Sequence, residues 1–179
     1  MAHIVVYCAC GSPAVSACAG CYTKFYCSQG CQAADWGGGH KRTCSPEVVR
    51  EHMRATGRTP VHICAAVDAT ESLELMLRFG LRTEERDSTG FTPLMVAAQS
   101  GKVRALACLL DGGAQIDATR VSGNATASAL TFAFFRISTN FEEGWACCRL
   151  LLSRGASIAA AAVGVQGSAI LAAVPHLLP

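Results

Sequence analysis

The chain has 179 residues, 51% of them hydrophobic and 16% charged, with 15 basic and 13 acidic side chains for a net charge of +2. That composition supports a packed core and excludes wholesale disorder, and the length suits one ordinary domain or two small ones. The basic residues are scattered, which argues against binding to a nucleic-acid backbone, since that needs a clustered basic footprint.

The opening MAHIVVYCAC has no positive flank, and its apolar run is too short for a secretory signal. The expected compartment is therefore a reducing one, cytosol or nucleus, where a dense cysteine cluster points to metal rather than to disulfides. Seven of the 11 cysteines fall between Cys8 and Cys44, an odd number for a disulfide framework. Adding His40 gives eight soft ligands, enough for two tetrahedral zinc sites. They come in short-range pairs: Cys8 with Cys10, Cys18 with Cys21, Cys27 with Cys31, and His40 with Cys44. Cys18-Ala-Gly-Cys21 is a turn that can aim two thiolates at one ion. The last two pairs are each four residues apart, a spacing that a helix would place on one face. So short a segment cannot bury enough apolar area to fold unaided. Structural zinc in finger peptides contributes roughly 10–16 kcal/mol, which becomes folding free energy. Spacing alone leaves sequential and interleaved pairings of the ligands both open.

The paired cysteines, FYCSQGCQ at 25–32, Asp35-Trp36 and HKRTC at 40–44 together resemble the MYND zinc finger over residues 8–44. The resemblance implies two cross-braced zinc ions. Cys8, Cys10, Cys27 and Cys31 would hold one; Cys18, Cys21, His40 and Cys44 would hold the other. It also implies that the finger grips short proline-rich peptides of protein partners, with Gln32 and Trp36 at the matching positions. An indole suits an extended proline-rich ligand, which has little conformational entropy to lose. Two departures from the family pattern are visible. Its usual opening CxxC is here Cys8-Ala9-Cys10, a pair roughly 6.6 Å apart at Cα if extended, so a turn must draw the sulfurs together. Three glycines, Gly37 to Gly39, separate Trp36 from His40 where the family commonly has two residues.

The finger, residues 1–47 with its core at 8–44, is followed by SPEVVREHMRAT at 45–56. Its Ser-Pro-Glu start and the apolar side of Val48, Val49 and Met53 predict a short linker helix over 48–56.

From Gly57 onward a period of 33 governs the text: Gly57, Gly90 and Gly123 are spaced by it. GRTPVHICAA matches GFTPLMVAAQ, and ESLELMLRFG matches VRALACLLDGG. Thr59 and Thr92 suit helix N-caps, with Pro60 and Pro93 at the first helical position. Ala65, Ala97 and Ala98 let neighbouring helices approach, and the Leu/Met spacing makes the buried stripe of a second helix. Gly80, Gly113 and Gly155 suit the left-handed residue that ends it. Asp87-Ser-Thr-Gly90 fits a type I turn between units. Each unit is then a turn and two antiparallel helices, stable only by stacking.

This body resembles the ankyrin repeat, so the implied architecture is a small zinc-stabilised finger plus an all-α ankyrin-repeat solenoid over 57–179. The repeats are expected at 57–89 and 90–122, with a degenerate one at 123–163 and a partial one at 164–179. In the degenerate repeat SALTFAFF stands in the first helix, about three residues late, CCRLLLSRGA restores the second, and RISTNFEEG at 136–144 reads as a lengthened connection. Cys64, Cys108, Cys147 and Cys148 fall in apolar helical patterns and are expected in the core. His62 sits where the family has the His of TPLH, a residue that braces neighbouring loops. The uncharged stretch from Gly155 to Pro175 could span a bilayer by length. Its Ala, Gly, Ser and Val content reads instead as small-residue helix packing, with no membrane expected.

These features describe a non-catalytic interaction adaptor: a finger for a peptide, and a repeat stack whose turn residues Glu84, Glu85, Arg86, Ser88, Phe91 and Arg120 offer a second surface. The alternative is a nucleic-acid-associated or transcriptional co-regulatory zinc protein without catalysis of its own. Some relatives of MYND proteins are methyltransferases or iron-dependent hydroxylases. Beyond Cys44, however, the sequence is occupied by repeats, and no H-x-D pair opens an iron site.

Overall fold

A computed structural model describes residues 16–17, 25–26, 29–40, 51, 53–78, 80–123 and 125–161. In the head, β1 (Ser16–Ala17) and β2 (Phe25–Tyr26) pair antiparallel, with Ser16 opposite Tyr26 and Ala17 opposite Phe25. Helix α1 (Gln29–Asp35) follows and runs on into a π turn over Trp36–His40, kinked at Gly39 with φ 133°. Of the linker, residues 51 and 53–56 are helical.

The body is a stack of helix pairs: α2 (Pro60–Ala66) with α3 (Thr70–Arg78), α4 (Pro93–Gln99) with α5 (Val103–Asp111), and α6 (Ala129–Thr139) with α7 (Phe141–Ser153). The first helices pack on one another in the order α2, α4, α6, and the second helices in the order α3, α5, α7. Thr59 and Thr92 are the N-caps of α2 and α4 with Pro at the first position, and Gly80, Gly113 and Gly155 take φ of 78°, 86° and 90°. The core between the rows is Leu73, Leu94, Met95, Leu106, Leu109 and Leu151, with Cys64, Cys147 and Cys148 buried among them. Cys108 is only partly buried, against that core. Burial pushes the thiols of Cys108 and Cys148 up to about 12 and that of Cys147 to about 11, so these three pack as hydrophobes rather than react.

The units are also pinned by polar contacts that recur in register. The Glu84 carboxylate accepts from the Gln115 amide at 2.8 Å, and 33 residues on the Asp117 carboxylate accepts from the Ser157 amide at 2.8 Å. Repeat three thus keeps the register of repeat two despite its insertions. Asp68, at φ 60°, accepts from the Ala105 amide at 2.8 Å and so caps α5, whose own N-cap residue Lys102 makes no such bond. Because α5 begins only when repeat one is in place, the capping of one unit depends on its neighbour.

Two expectations need correction. The insertion before repeat three is a complete hairpin, β3 (Thr119–Ser122) with β4 (Ala125–Ser128), closed through Gly123 at φ 59°. Residues 136–144 are not a long connection: α6 runs to Thr139, α7 starts at Phe141, and the single residue Asn140 links them. The extra residues went into longer helices. Asn140 Oδ1 accepts from the Glu143 amide at 3.3 Å, capping α7 at once. Short α8 (Ile158–Ala161) follows. None of the described helices is long and apolar enough to cross a membrane.

Candidate metal centre and interaction surfaces

Of the eight predicted ligands, Cys8, Cys10, Cys18, Cys21, Cys27 and Cys44 lie outside the described residues. Cys31 and His40 are placed by the backbone. Cys31 sits in the first turn of α1 and is partly buried, and His40 closes the π turn. Nine residues separate them in the chain, and the non-helical Gly39 interrupts the helical path just before His40. Cys27, the other member of the Cys27/Cys31 pair, lies outside the described residues. The segment between β1 and β2 is the one that contains Cys18 and Cys21, whereas Cys27 follows β2 directly.

No side chain of α1 is buried. Gln32 is half-buried, and position 36 lies one turn further along the same helical path. Beside Gly37 and Gly38 there is open space.

On the repeats, most of the predicted turn residues are committed to the structure. Phe91 is a core residue, only 8% exposed, because its ring lies between that of Phe132, at 4.6 Å, and the Arg120 guanidinium, at 4.7 Å. Arg120 Nε also donates to the Thr89 carbonyl, and Arg86 donates to the carbonyls of Gly90 and Thr119. Both arginines tie the β3–β4 hairpin to the preceding turn. Ser88 donates to the Thr56 carbonyl at 2.6 Å. Glu85 is exposed. The surface residue that the sequence reading missed is Val121, 71% exposed near the hairpin tip. Its signal was there: TRVS and ATAS flank Gly123-Asn124, a two-residue connection of the kind primed turns use.

The turn itself is built on Asp87. The Gly90 amide donates to the Asp87 carbonyl at 2.9 Å, closing the expected type I turn. The Asp87 side chain accepts from the Thr89 hydroxyl and from the amides of Thr89 and Phe91, and pairs with Arg58 at 3.3 Å. Burial alone would push this carboxyl up, but the bonds from Thr89, Phe91 and Arg58 outweigh it and hold it below its ordinary value.

His62 is fully buried and spans two repeats. The Thr59 amide donates to Nδ1 at 3.2 Å, so Nδ1 is an acceptor, and Nε2 carries the proton and donates to the Phe91 carbonyl at 2.9 Å. Burial lowers its pKa and keeps the ring neutral.

Compared with known families, the chain matches the MYND finger over residues 5–44 and ankyrin repeats, in three copies, over residues 31–120. The second match covers half of the chain, which belongs to the ankyrin-repeat family and carries a MYND finger at its N-terminal end. The two matches overlap at residues 31–44, where α1 and the π turn lie. A MYND finger is a zinc-binding domain, and both modules are in general non-catalytic domains for protein–protein interaction. Among solved structures, the human ASB11 ankyrin repeat domain is 27% identical over 56% of this chain and 42% of that one, with a TM-score of 0.48. The chain thus spans less than half of that domain.

Proposed function

We propose that this protein is a zinc-dependent adaptor, cytosolic or nuclear, that joins two protein partners: one a proline-rich segment held by the finger, the other bound by the repeat stack. Zinc, when bound, supplies the folding free energy that a head of this size lacks. Two ions are held by the chain, one by Cys8, Cys10, Cys27 and Cys31, the other by Cys18, Cys21, His40 and Cys44. Cys31 lies in α1 and His40 follows the kink at Gly39, a backbone placement that fits their assignment to different ions. Both ligands belong to the helix that carries Gln32 and Trp36, so the metal orients the peptide-binding face.

The single observation that carries the peptide reading is that no residue of α1 is fully buried and that its half-buried Gln32 stands four residues before position 36, where the π turn begins. An aromatic and an amide side by side can take the flat face of a proline and a backbone carbonyl of an extended ligand. Two such weak sites in one chain raise affinity for any partner that engages both.

An array of short proline-rich peptides probed with the zinc-loaded chain tests this. At least one peptide is expected to bind, with affinity falling about tenfold or more in Trp36→Ala, the loss of roughly 1.4 kcal/mol or more that an aromatic anchor contributes. Zinc content should be unchanged in that variant. Peptide binding indifferent to both Trp36→Ala and Gln32→Ala removes the assignment.

A further inference from the structure

Three arginines far apart in sequence meet on one turn, residues 87–90. Arg58, from the start of repeat one, reaches the Asp87 carboxylate through Nε at 3.3 Å. Arg86, just before the turn, donates through Nη1 to the Gly90 carbonyl at 3.0 Å and to the Thr119 carbonyl at 2.9 Å. Arg120, from β3, donates through Nε to the Thr89 carbonyl at 2.6 Å. Its stem runs along Gly90, where an added Cβ would stand 3.5 Å from the Arg120 Cγ. Arg86 and Arg120 thus hold successive carbonyls of the same turn, and their guanidiniums are neighbours.

The charges do not balance there. Asp87 is only 6% exposed, and it is occupied by Thr89, Phe91 and Arg58. Elsewhere in the stack Arg136 and Arg154 each face a carboxylate, Glu143 and Asp111. Among the described residues Arg86 and Arg120 pair with none: their contacts are neutral carbonyls and, for Arg120, the Phe91 ring. The repeat register sharpens the point. Arg120 stands 33 residues after Asp87, so the place that holds a carboxylate at the first junction holds a cation at the second. Among the described residues Arg86 bonds through Nη1 and Arg120 through Nε, so Nη2 of Arg86 and both Nη groups of Arg120 keep their donors.

We propose that Arg86 and Arg120 are the contact for an acidic segment of the partner that the repeat stack binds, two carboxylates of an Asp/Glu-rich stretch each taking one guanidinium. This rests on the reading of the stack as a partner-binding surface and names the chemistry of that partner. A planar guanidinium matches a carboxylate in a bidentate pair, which two N–H donors on one edge allow. The carbonyls and the ring already hold both long side chains, so less freedom is lost when the ligand arrives. Carboxylate fits better than phosphate: Glu85 is exposed beside Arg86 and Asp87 lies in the same turn, and their repulsion grows with the charge of the ligand. Two cations are also too short a track for a nucleic-acid backbone.

Fluorescence anisotropy of the zinc-loaded full chain tests this with labelled probes: a Glu-Gly repeat peptide, its Gln-Gly counterpart, a Ser-Gly peptide carrying phosphoserine, and a DNA duplex. The Glu-Gly peptide is expected to bind and the Gln-Gly peptide not to, with affinity for the former weakening as salt rises. Arg86→Gln and Arg120→Gln should each lower that affinity about fivefold or more. Arg149→Gln, at an exposed arginine of α7, should leave it unchanged. Arg120→Met keeps a stem against Phe91 should Arg120→Gln loosen the hairpin, and it too should lose affinity; circular dichroism checks the fold of each variant. Glu-Gly binding that survives both Arg86→Gln and Arg120→Met overturns the proposal. So does no binding at all, or tighter binding of the phosphoserine peptide or the duplex. Failure of the acidic probe alone, with proline-rich peptides still held through Trp36, removes this chemistry and leaves the adaptor reading standing.

Discussion

His62 uses both ring nitrogens, one to accept from Thr59 in its own repeat and one to donate to Phe91 in the next. The bridge exists only for a neutral ring, because a proton on Nδ1 would face the Thr59 amide. Its folded pKa lies below the ordinary value of about 6.5, so above that pH folded and unfolded states are both neutral and the full stability is present. As pH falls below 6.5 the unfolded chain takes up a proton that the folded one refuses, and stability is lost down to the lowered folded pKa. Asp87 acts in the same direction but only near and below the ordinary carboxylate range, a separate window. Thermal unfolding of the repeats followed by circular dichroism is expected to show a lower midpoint at pH 5 than at pH 7, and a smaller difference in His62→Gln. Equal pH dependence in the two proteins would show that His62 is not the titrating group. The role of His62 was legible from the TPVH spacing. That of Phe91 was not: a lone aromatic after a Gly reads as a turn-tip residue, and it takes Phe132 and the hairpin arginine against its ring to explain its burial.

At the scale of elements, the crossing of α6 and α7 depends on Gly144. A Cβ there would collide with the Ile137 backbone nitrogen and lie 2.8 Å from the Arg136 carbonyl carbon and the Ile137 Cα. The obstacle is backbone and cannot rotate away. Replacing a helical glycine with alanine normally stabilises by about 1 kcal/mol. Here the clash decides the sign, and Gly144→Ala is expected to destabilise by about 2 kcal/mol or more. Exposed Arg149→Ala on the same helix should stay within about 0.5 kcal/mol. Chemical denaturation of the two variants checks this, and a Gly144→Ala protein as stable as the parent would show that the helices separate freely. The same glycine explains why 136–144 reads as a loop: Ser-Thr-Asn and a Gly are breaker residues in isolation. In the fold Asn140 is a cap and Gly144 a contact point. The helices with Thr-Pro starts and left-handed glycine ends were legible throughout, because those signals are local. The β3–β4 hairpin had a local signal too, in Gly123-Asn124, but the 33-residue period masked it.

The molecule joins two ways of making a stable fold. The repeats bury leucines between stacked helices and hold register through contacts such as Asp68 with Ala105 and Glu84 with Gln115. The head belongs to a zinc-binding type of domain, and among its described residues are two-residue strands and a helix none of whose residues is fully buried. The finger itself was legible from cysteine spacing, and the family match over residues 5–44 agrees with it. Which ligands share an ion was not, because pairing is set by the path of the chain rather than by spacing. The head and the stack should therefore fail separately: Cys18→Ser is expected to unfold the finger and leave the repeats helical. Native mass spectrometry of the purified chain, before and after a strong chelator, measures the central claim. Two zinc ions per chain, both removed by the chelator, is the predicted result; a single ion, or an ordered metal-free head, would contradict it.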